Sequence, residues 1–267
     1  YNNKLQAYQK DNFVRSDWYL RGDYQLRRGY FRRHIFSVGY YRSSVDDSVI
    51  NSKYNPAYYN NGKSSAGYLA FGYSFVYTKV DNVNYPLRGK QYSLSLWKKG
   101  FGFNKGIDNL LAEARYNAFR SFGKNWYGSL QLQTDISFPF ESAYINQRLM
   151  GYGEFYLRGL EYYVIDGYHA SMAKFTLKKK IWGFTIPLPW KIKAVPSIPF
   201  QFFAKTYADG GYAIIQSQRE AWLNNRPLYT TGIGLDVLTL YDLNLKFEYS
   251  INQFGEKGLF LHAKSSF

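Results

Sequence analysis

The sequence contains no cysteine. That excludes a disulfide scaffold and fits a bacterial envelope protein exposed to an oxidising periplasm. Long hydrophobic runs are missing as well. No stretch approaches the ~18 apolar residues that a membrane-spanning helix needs, so a helical membrane protein is excluded. Histidine is scarce: His34, His169 and His262 lie far apart, and none has a partner at metal-ligand spacing. The HExxH, GxSxG and P-loop patterns are absent. The glycine-rich piece "GYGEFYLRG" lacks the strand–helix setting of a phosphate cradle, and the pair Asp46–Asp47 reads as a solvated loop. The chain is therefore expected not to be an enzyme and to use no cofactor and no metal. The opening "YNNKLQAYQKDN" has no apolar core segment, so the expectation is a leader already removed or a piece of a longer chain.

Acidic residues are in deficit, 19 against 34 Lys and Arg, for a net charge of +15. The basic residues are interleaved along the chain and do not form one block. A basic lumen or a surface facing lipid phosphates is expected, and no nucleic-acid partner.

What the chain has in excess is aromatic side chains: 28 Tyr, 21 Phe and 6 Trp among 267 residues. Mean hydropathy is nevertheless −0.42. Many large rings with a low average is the signature of strands with one apolar and one polar face. The alternation is explicit. In "LYDLNLKFEYSI", Leu243, Leu245, Phe247, Tyr249 and Ile251 point one way, and Asp242, Asn244, Lys246, Glu248 and Ser250 the other. In "FQFFAKTYAD", Phe203, Lys205, Tyr207 and Asp209 share a face opposite Phe202 and Ala204. Period two places strands at 11–27, 30–45, 66–80, 91–103, 109–122, 128–140, 170–182, 198–209, 229–240, 242–252 and 258–267, with 1–8 as a twelfth candidate.

Many of these strands reach ten residues, enough to cross a bilayer at a tilt, whereas soluble strands average about 5–6. Short connections such as "TLYDL" alternate with long ones such as "FESAYINQRLMGYGEFYLRGLEYYVIDGYH". The segment "IWGFTIPLPWKIKAVPSIP", with four prolines and two tryptophans, reads as a turn at the membrane interface. The expected fold class is all-β, a transmembrane antiparallel β-barrel forming one domain over residues 1–267. A soluble β-sandwich also alternates, but it uses shorter strands and more Val, Ile and Leu.

Four features, in order, resemble the barrel of the BamA/TamA outer-membrane assembly-factor (bacterial surface antigen) superfamily. In "SFVYTKVDNVNYPLRGKQYSLSL", Asp81 precedes a turn at Tyr85, Pro86 and Gly89; proline fixes φ and glycine permits a positive one. "MGYGEFYLRGLEYY" resembles the approach to the family's (V/I)RG(F/Y) motif, with Arg158 and Gly159 matching and Leu157 and Leu160 in place of Val and the aromatic. "FFAKTYADGGYA" matches an aromatic-x-Asp-x-Gly strand through Tyr207, Asp209 and Gly211. The end of the chain carries Gly232-x-Gly234 and a last strand with Leu259, Leu261 and terminal Phe267, which also resembles a general outer-membrane assembly signal.

The resemblance implies a barrel of about sixteen strands of which eleven or twelve lie here, with the first strands and the periplasmic POTRA domains outside this chain. It implies an inward loop latched by Arg158 to lumenal Asp209. The family's second acid, on the strand after the loop, is replaced by Thr176, so a second acidic contact is expected to be missing. Glu161 and Asp166 read as solvated loop acids. The implied function is assembly and insertion of client β-barrel proteins in the bacterial outer membrane through a lateral seam. The implied partners are lipids or lipopolysaccharide, the clients, and accessory lipoproteins or other assembly-machine subunits. The rival is an outer-membrane transporter, either a two-partner-secretion exporter or a porin-like channel.

Overall fold

The structure, a computed structural model, describes residues 15–50, 55, 58–103, 107–140, 143–187, 197–216, 222–239 and 243–264. The chain is all-β. Its strands are β1 (Arg15–Arg28), β2 (Arg32–Val45), β3 (Ser65–Val80), β4 (Gly89–Lys99), β5 (Asn109–Gly123), β6 (Trp126–Phe138), β7 (Arg148–Met150), β8 (Ile165–Asp166), β9 (His169–Pro187), β10 (Ser197–Ile214), β11 (Leu228–Leu238), β12 (Asn244–Asn252) and β13 (Lys257–Lys264). Eleven of them form one antiparallel sheet in the order β1-β2-β3-β4-β5-β6-β9-β10-β11-β12-β13, and β7 and β8 form a small pair inside a long loop. Apart from that insertion, each strand hydrogen-bonds to its neighbour in sequence, which is the meander of an up-and-down barrel wall.

Exposure along the strands is inverted relative to a soluble core. On β12, Asn244, Glu248, Ser250 and Asn252 are buried while Phe247, Tyr249 and Ile251 are exposed. Leu69, Phe71, Leu94, Leu96, Leu130, Leu132, Phe175, Leu259 and Leu261 also face outward. Polar side chains inside and apolar ones outside suit a wall with lipid around it and a polar lumen within. A soluble sandwich, which buries its apolar faces, does not fit. Among the described residues no strand pairs with the outer edges of β1 and β13.

The eleven sheet strands lie where alternation places them, with shifted ends. The main difference is at β9 and β10. They continue through Ile181–Pro187 and from Ser197, so both ends of the proline-rich segment are strand; its middle, 188–196, lies outside the described residues. The candidate strand 1–8, the terminal Phe267 and the end of the last strand also lie outside them. The pair β7–β8 escapes period-two reading because it is only 3 and 2 residues long.

Connections on one rim are short: 29–31, 81–88 and 124–125. The other rim carries the longer 46–64 and 139–168. The segment 139–168 folds back into the barrel. Its Leu149, Met150, Phe155, Leu157, Leu160, Tyr163 and Ile165 pack on Ala170, Met172, Ala213, Leu223 and Leu228 of the wall and the neighbouring loop. One apolar core at this end of the barrel is thus made by an inserted loop, and a second gathers Val45, Tyr58, Tyr59, Ala66 and Ile107. The inserted loop's burial of large side chains, each worth about 1.5–3 kcal/mol, offsets the cost of ordering a long connection.

Candidate functional site

The wall facing the loop is built by cross-strand registration. Thr176 on β9 lies opposite Tyr207 on β10, which lies opposite Gly232 on β11, opposite Ser250 on β12. The next inward row is Lys178, Lys205, Gly234 and Glu248. Both glycines serve as passages. A Cβ on Gly232 would stand 2.4 Å from the Tyr207 hydroxyl, and one on Gly234 would stand 2.7 Å from Lys205 Cε. Without those carbons, Tyr207 crosses β11 to bond Ser250 Oγ at 2.7 Å, and Lys205 crosses it to reach Glu248 Oε1 at 2.6 Å. The Gly232-x-Gly234 spacing therefore lets two β10 side chains reach β12 over an intervening strand.

Arg158 is seated on this wall. Its Nε donates to Asp209 Oδ2 at 2.9 Å, and its backbone N–H donates to the same oxygen at 3.0 Å. Nη2 bonds Asp209 Oδ1 and, at 3.3 Å, the Phe175 carbonyl. Nη1 donates to Thr176 Oγ1 at 3.0 Å, and the guanidinium carbon lies 3.9 Å from the Tyr207 ring centroid. A planar fork matched to a carboxylate by two parallel bonds and covered by an aromatic face is a geometry that lysine cannot reproduce. Burial opposes the Arg158 charge, but the bonds and charge of Asp209 outweigh it and raise the pKa above the ordinary arginine value.

The rest of the motif packs around the pair. Leu157 and Leu160 are buried in the loop core. Gly159 has φ 84°, and a Cβ there would meet Ser250 Cβ at 2.7 Å. Its carbonyl accepts from Asn252 Nδ2 at 3.1 Å. Gly211 lies beneath the loop, where a Cβ would stand 3.1 Å from Leu157 Cδ1.

Three expectations are corrected. A second acid does reach Arg158: Glu248 Oε1 on β12 is 3.9 Å from Nη1. The strand after the loop offers the Thr176 hydroxyl and the Phe175 carbonyl but no acid, and the carboxylate arrives from three strands further along the sheet. Asp166 is buried, accepting from the hydroxyls of Tyr144 at 2.9 Å and Tyr152 at 2.6 Å, and it is not solvated. Glu161 is half-buried against His262 of β13, at 3.2 Å.

The turn motif does more than reverse the chain. Asp81 Oδ1 accepts the N–H groups of Asn82, Leu87 and Arg88 at 2.9–3.1 Å, and Gly89 has φ 109°. Pro86 lines the lumenal cavity. Tyr85 reaches inward and donates its hydroxyl to Asp236 Oδ2 on β11 at 2.8 Å. Its ring lies under Lys178 Nζ at 4.0 Å and against Phe203. Burial and the Asp236 carboxylate hold the Tyr85 phenol well above its ordinary pKa, so it remains a donor.

Asp236 also pairs with Lys178 at 3.1 Å and with Lys205, and Lys205 continues to Glu248. The loop from one rim and the turn from the other are thereby joined through one ionic network on the inner faces of β9–β13. Leu259 and Leu261 take no part and face outward on β13.

No protein-family model matches the sequence. No curated protein matches it either. Among solved structures, the chain is similar to the crystal structure of BamA from Haemophilus ducreyi lacking POTRA domains 1–3, with a TM-score of 0.69 and 12% identity. The match covers 92% of this chain and 53% of that one, so this chain spans about half of its length. The chain has the fold of the barrel portion of BamA.

Proposed function

We propose that this chain is the barrel of a non-enzymatic outer-membrane assembly factor that helps client β-barrel proteins fold and insert. The observation that carries the reading is the seating of the Arg158 loop on Asp209, Thr176 and Tyr207 inside a BamA-like wall. An inserted, latched loop occupies part of the lumen and fixes the curvature of β9–β12. The wall then keeps its shape while a neighbouring edge works. The outer edge of β13, with no strand on it among the described residues, offers backbone donors and acceptors that lipid cannot satisfy. Addition of a client strand there satisfies them. Lipids, client barrels and accessory envelope subunits are the partners that this role requires, and the bacterial outer membrane is its place.

The test is reconstitution of the full chain in lipid vesicles with a urea-denatured client barrel, following client folding by its heat-modifiable gel mobility. Acceleration over empty vesicles, reduced in Arg158→Ala, is the expected result. Client folding at the empty-vesicle rate would overturn the reading.

A transporter is the second reading, favoured by the lumenal cavity that Arg115, Lys174, Lys178, Lys205 and Lys246 line. Such a basic lumen selects anions. Stable anion-selective conductance in planar bilayers, without client folding, would support it.

A further inference from the structure

The imidazole of His262 on β13 presents one nitrogen to two carboxylates. Nε2 is 3.2 Å from Glu161 Oε1 on the inserted loop and 3.3 Å from Glu248 Oε2 on β12. Carboxylate oxygens only accept, so that nitrogen must offer them either a proton or a cation. All three ligand atoms lie within 4.8 Å of one another. Zinc bonds of about 2.0–2.1 Å in a tetrahedron place neighbouring ligand atoms about 3.3 Å apart. The two measured separations are already of that size.

We propose that Glu161, Glu248 and His262 form a divalent transition-metal site of the zinc type, which clips the inserted loop to the last two strands of the sheet. The donor set, one imidazole and two carboxylates, suits zinc and leaves a fourth position. That position opens to the lumenal cavity, which Glu248 and His262 both line, so an ion can enter and water can complete the shell. Glu248 keeps its other oxygen on Lys205 at 2.6 Å, the kind of hydrogen bond that orients a ligating carboxylate.

The surrounding cations are largely committed elsewhere. Arg158 is paired with Asp209, Lys205 is shared with Asp236, and Lys174 lies over the Tyr156 ring at 4.1 Å. Burial, and after it the nearby Glu248 charge, raise the Glu161 carboxyl above its ordinary value, against the opposing pull of His262. A bound dication relieves both effects. The inference does not depend on the assembly reading, because a clipped loop is equally compatible with a channel.

The test is titration of the untagged, chelator-stripped full chain with Zn²⁺ by calorimetry and thermal unfolding, and with Co²⁺ by visible absorption. One ion per chain, a raised unfolding temperature and the intense absorption of four-coordinate cobalt are expected. His262→Ala should abolish these effects, and Glu161→Gln should weaken binding at least about tenfold. His34→Ala, on the far side of the sheet, should change nothing. Equal binding by wild type and His262→Ala, or no binding at Zn²⁺ on the order of 1 mM, would overturn the site. Should His262→Ala fail to refold, Glu161→Gln on the loop decides the matter, because unaltered affinity there is equally fatal.

Discussion

The Tyr85 hydroxyl lies 2.8 Å from Asp236 Oδ2, joining a turn between β3 and β4 to a strand 151 residues further along the chain. Asp236 is fully buried, and its remaining partners are Lys178 and Lys205. Lys205 passes the connection to Glu248, which stands 3.9 Å from Arg158. Two segments entering from opposite rims therefore share one set of charges. In a lumen with limited water, each member depends on its neighbours to remain satisfied.

Tyr85→Phe should show the strength of that link. The substitution keeps the ring against Phe203 and under Lys178 and removes only the hydroxyl. A hydrogen bond to a charged acceptor contributes about 1.5–3 kcal/mol, and its loss leaves a buried carboxylate with one fewer donor. Urea unfolding of the refolded barrel, read by tryptophan fluorescence, should show a lowered midpoint with an unchanged slope. An unchanged midpoint would mean that water replaces the hydroxyl at no cost.

The wall was readable from the sequence because its physics has a short period. Phe247, Tyr249 and Ile251 alternate with Glu248 and Ser250, and each residue reports its own face. Pairing also followed, since nearly every strand hydrogen-bonds to its neighbour in sequence. The site was readable in part. Arg158 and Asp209 stood out by resemblance to a family motif, and alternation put Asp209 on the polar face. What escaped depends on distant geometry. Tyr85 reads locally as a turn residue, and nothing near it names Asp236. Glu248 was placed on the inner face, but its approach to Arg158 requires Lys205 and Tyr207 to cross at Gly234 and Gly232. The aromatic neighbours that bury Asp166 come from the loop's own folding, which no periodicity describes.

Gly159→Ala should unseat the loop. The residue holds φ 84°, where an L side chain is strained by about 1–3 kcal/mol, and its new Cβ would lie 2.7 Å from Ser250 Cβ. Both effects act in the same direction and fall on a strand carbon that cannot swing away. Limited proteolysis should cut within 151–164 faster than in the wild type. Gly211→Ala should cost less, because two of its contacts, Leu157 Cδ1 at 3.1 Å and Met150 Cε at 3.2 Å, are flexible ends. Equal protection of Gly159→Ala and wild type would show that the loop tolerates a shift of register.

Loop seating should weaken as pH rises in metal-free protein. Burial, followed by the Glu248 charge on β12, raises the Glu161 carboxyl above its ordinary value of 4.5, while His262 on β13 and Lys174 on β9 oppose the shift. A group whose folded pKa is raised favours the seated state fully below the unfolded value. That contribution is lost as pH climbs through the raised value. Proteolysis of the loop, measured with a pH-tolerant protease from about pH 4 to about pH 7, should accelerate upward through that window. Glu161→Gln should flatten the profile. A wild-type profile that falls with pH would overturn the role given to Glu161.

The Arg158–Asp209 pair should behave as one unit. Removing either partner strands the other in a site where Arg158 and Asp209 are 8% and 3% exposed. Breaking a buried pair in this way costs about 3–5 kcal/mol. The two truncations differ in what remains: Asp209→Ala leaves Arg158 with Thr176, the Phe175 carbonyl and Glu248, whereas Arg158→Ala leaves Asp209 facing Lys174, its register partner on β9. Asp209→Ala should therefore be the milder change for stability, since the Glu248 carboxylate still stands 3.9 Å from the guanidinium, whereas Lys174 lies over the Tyr156 ring. The double variant should be no worse than the more severe single one, in both unfolding midpoint and client folding rate. Additive losses would mean that the two residues act through separate contacts. Arg158→Lys separates charge from shape: it keeps the cation but gives up the fork to Asp209, the Thr176 bond and the planar face on Tyr207, so it should recover less than half of the stability lost in Arg158→Ala.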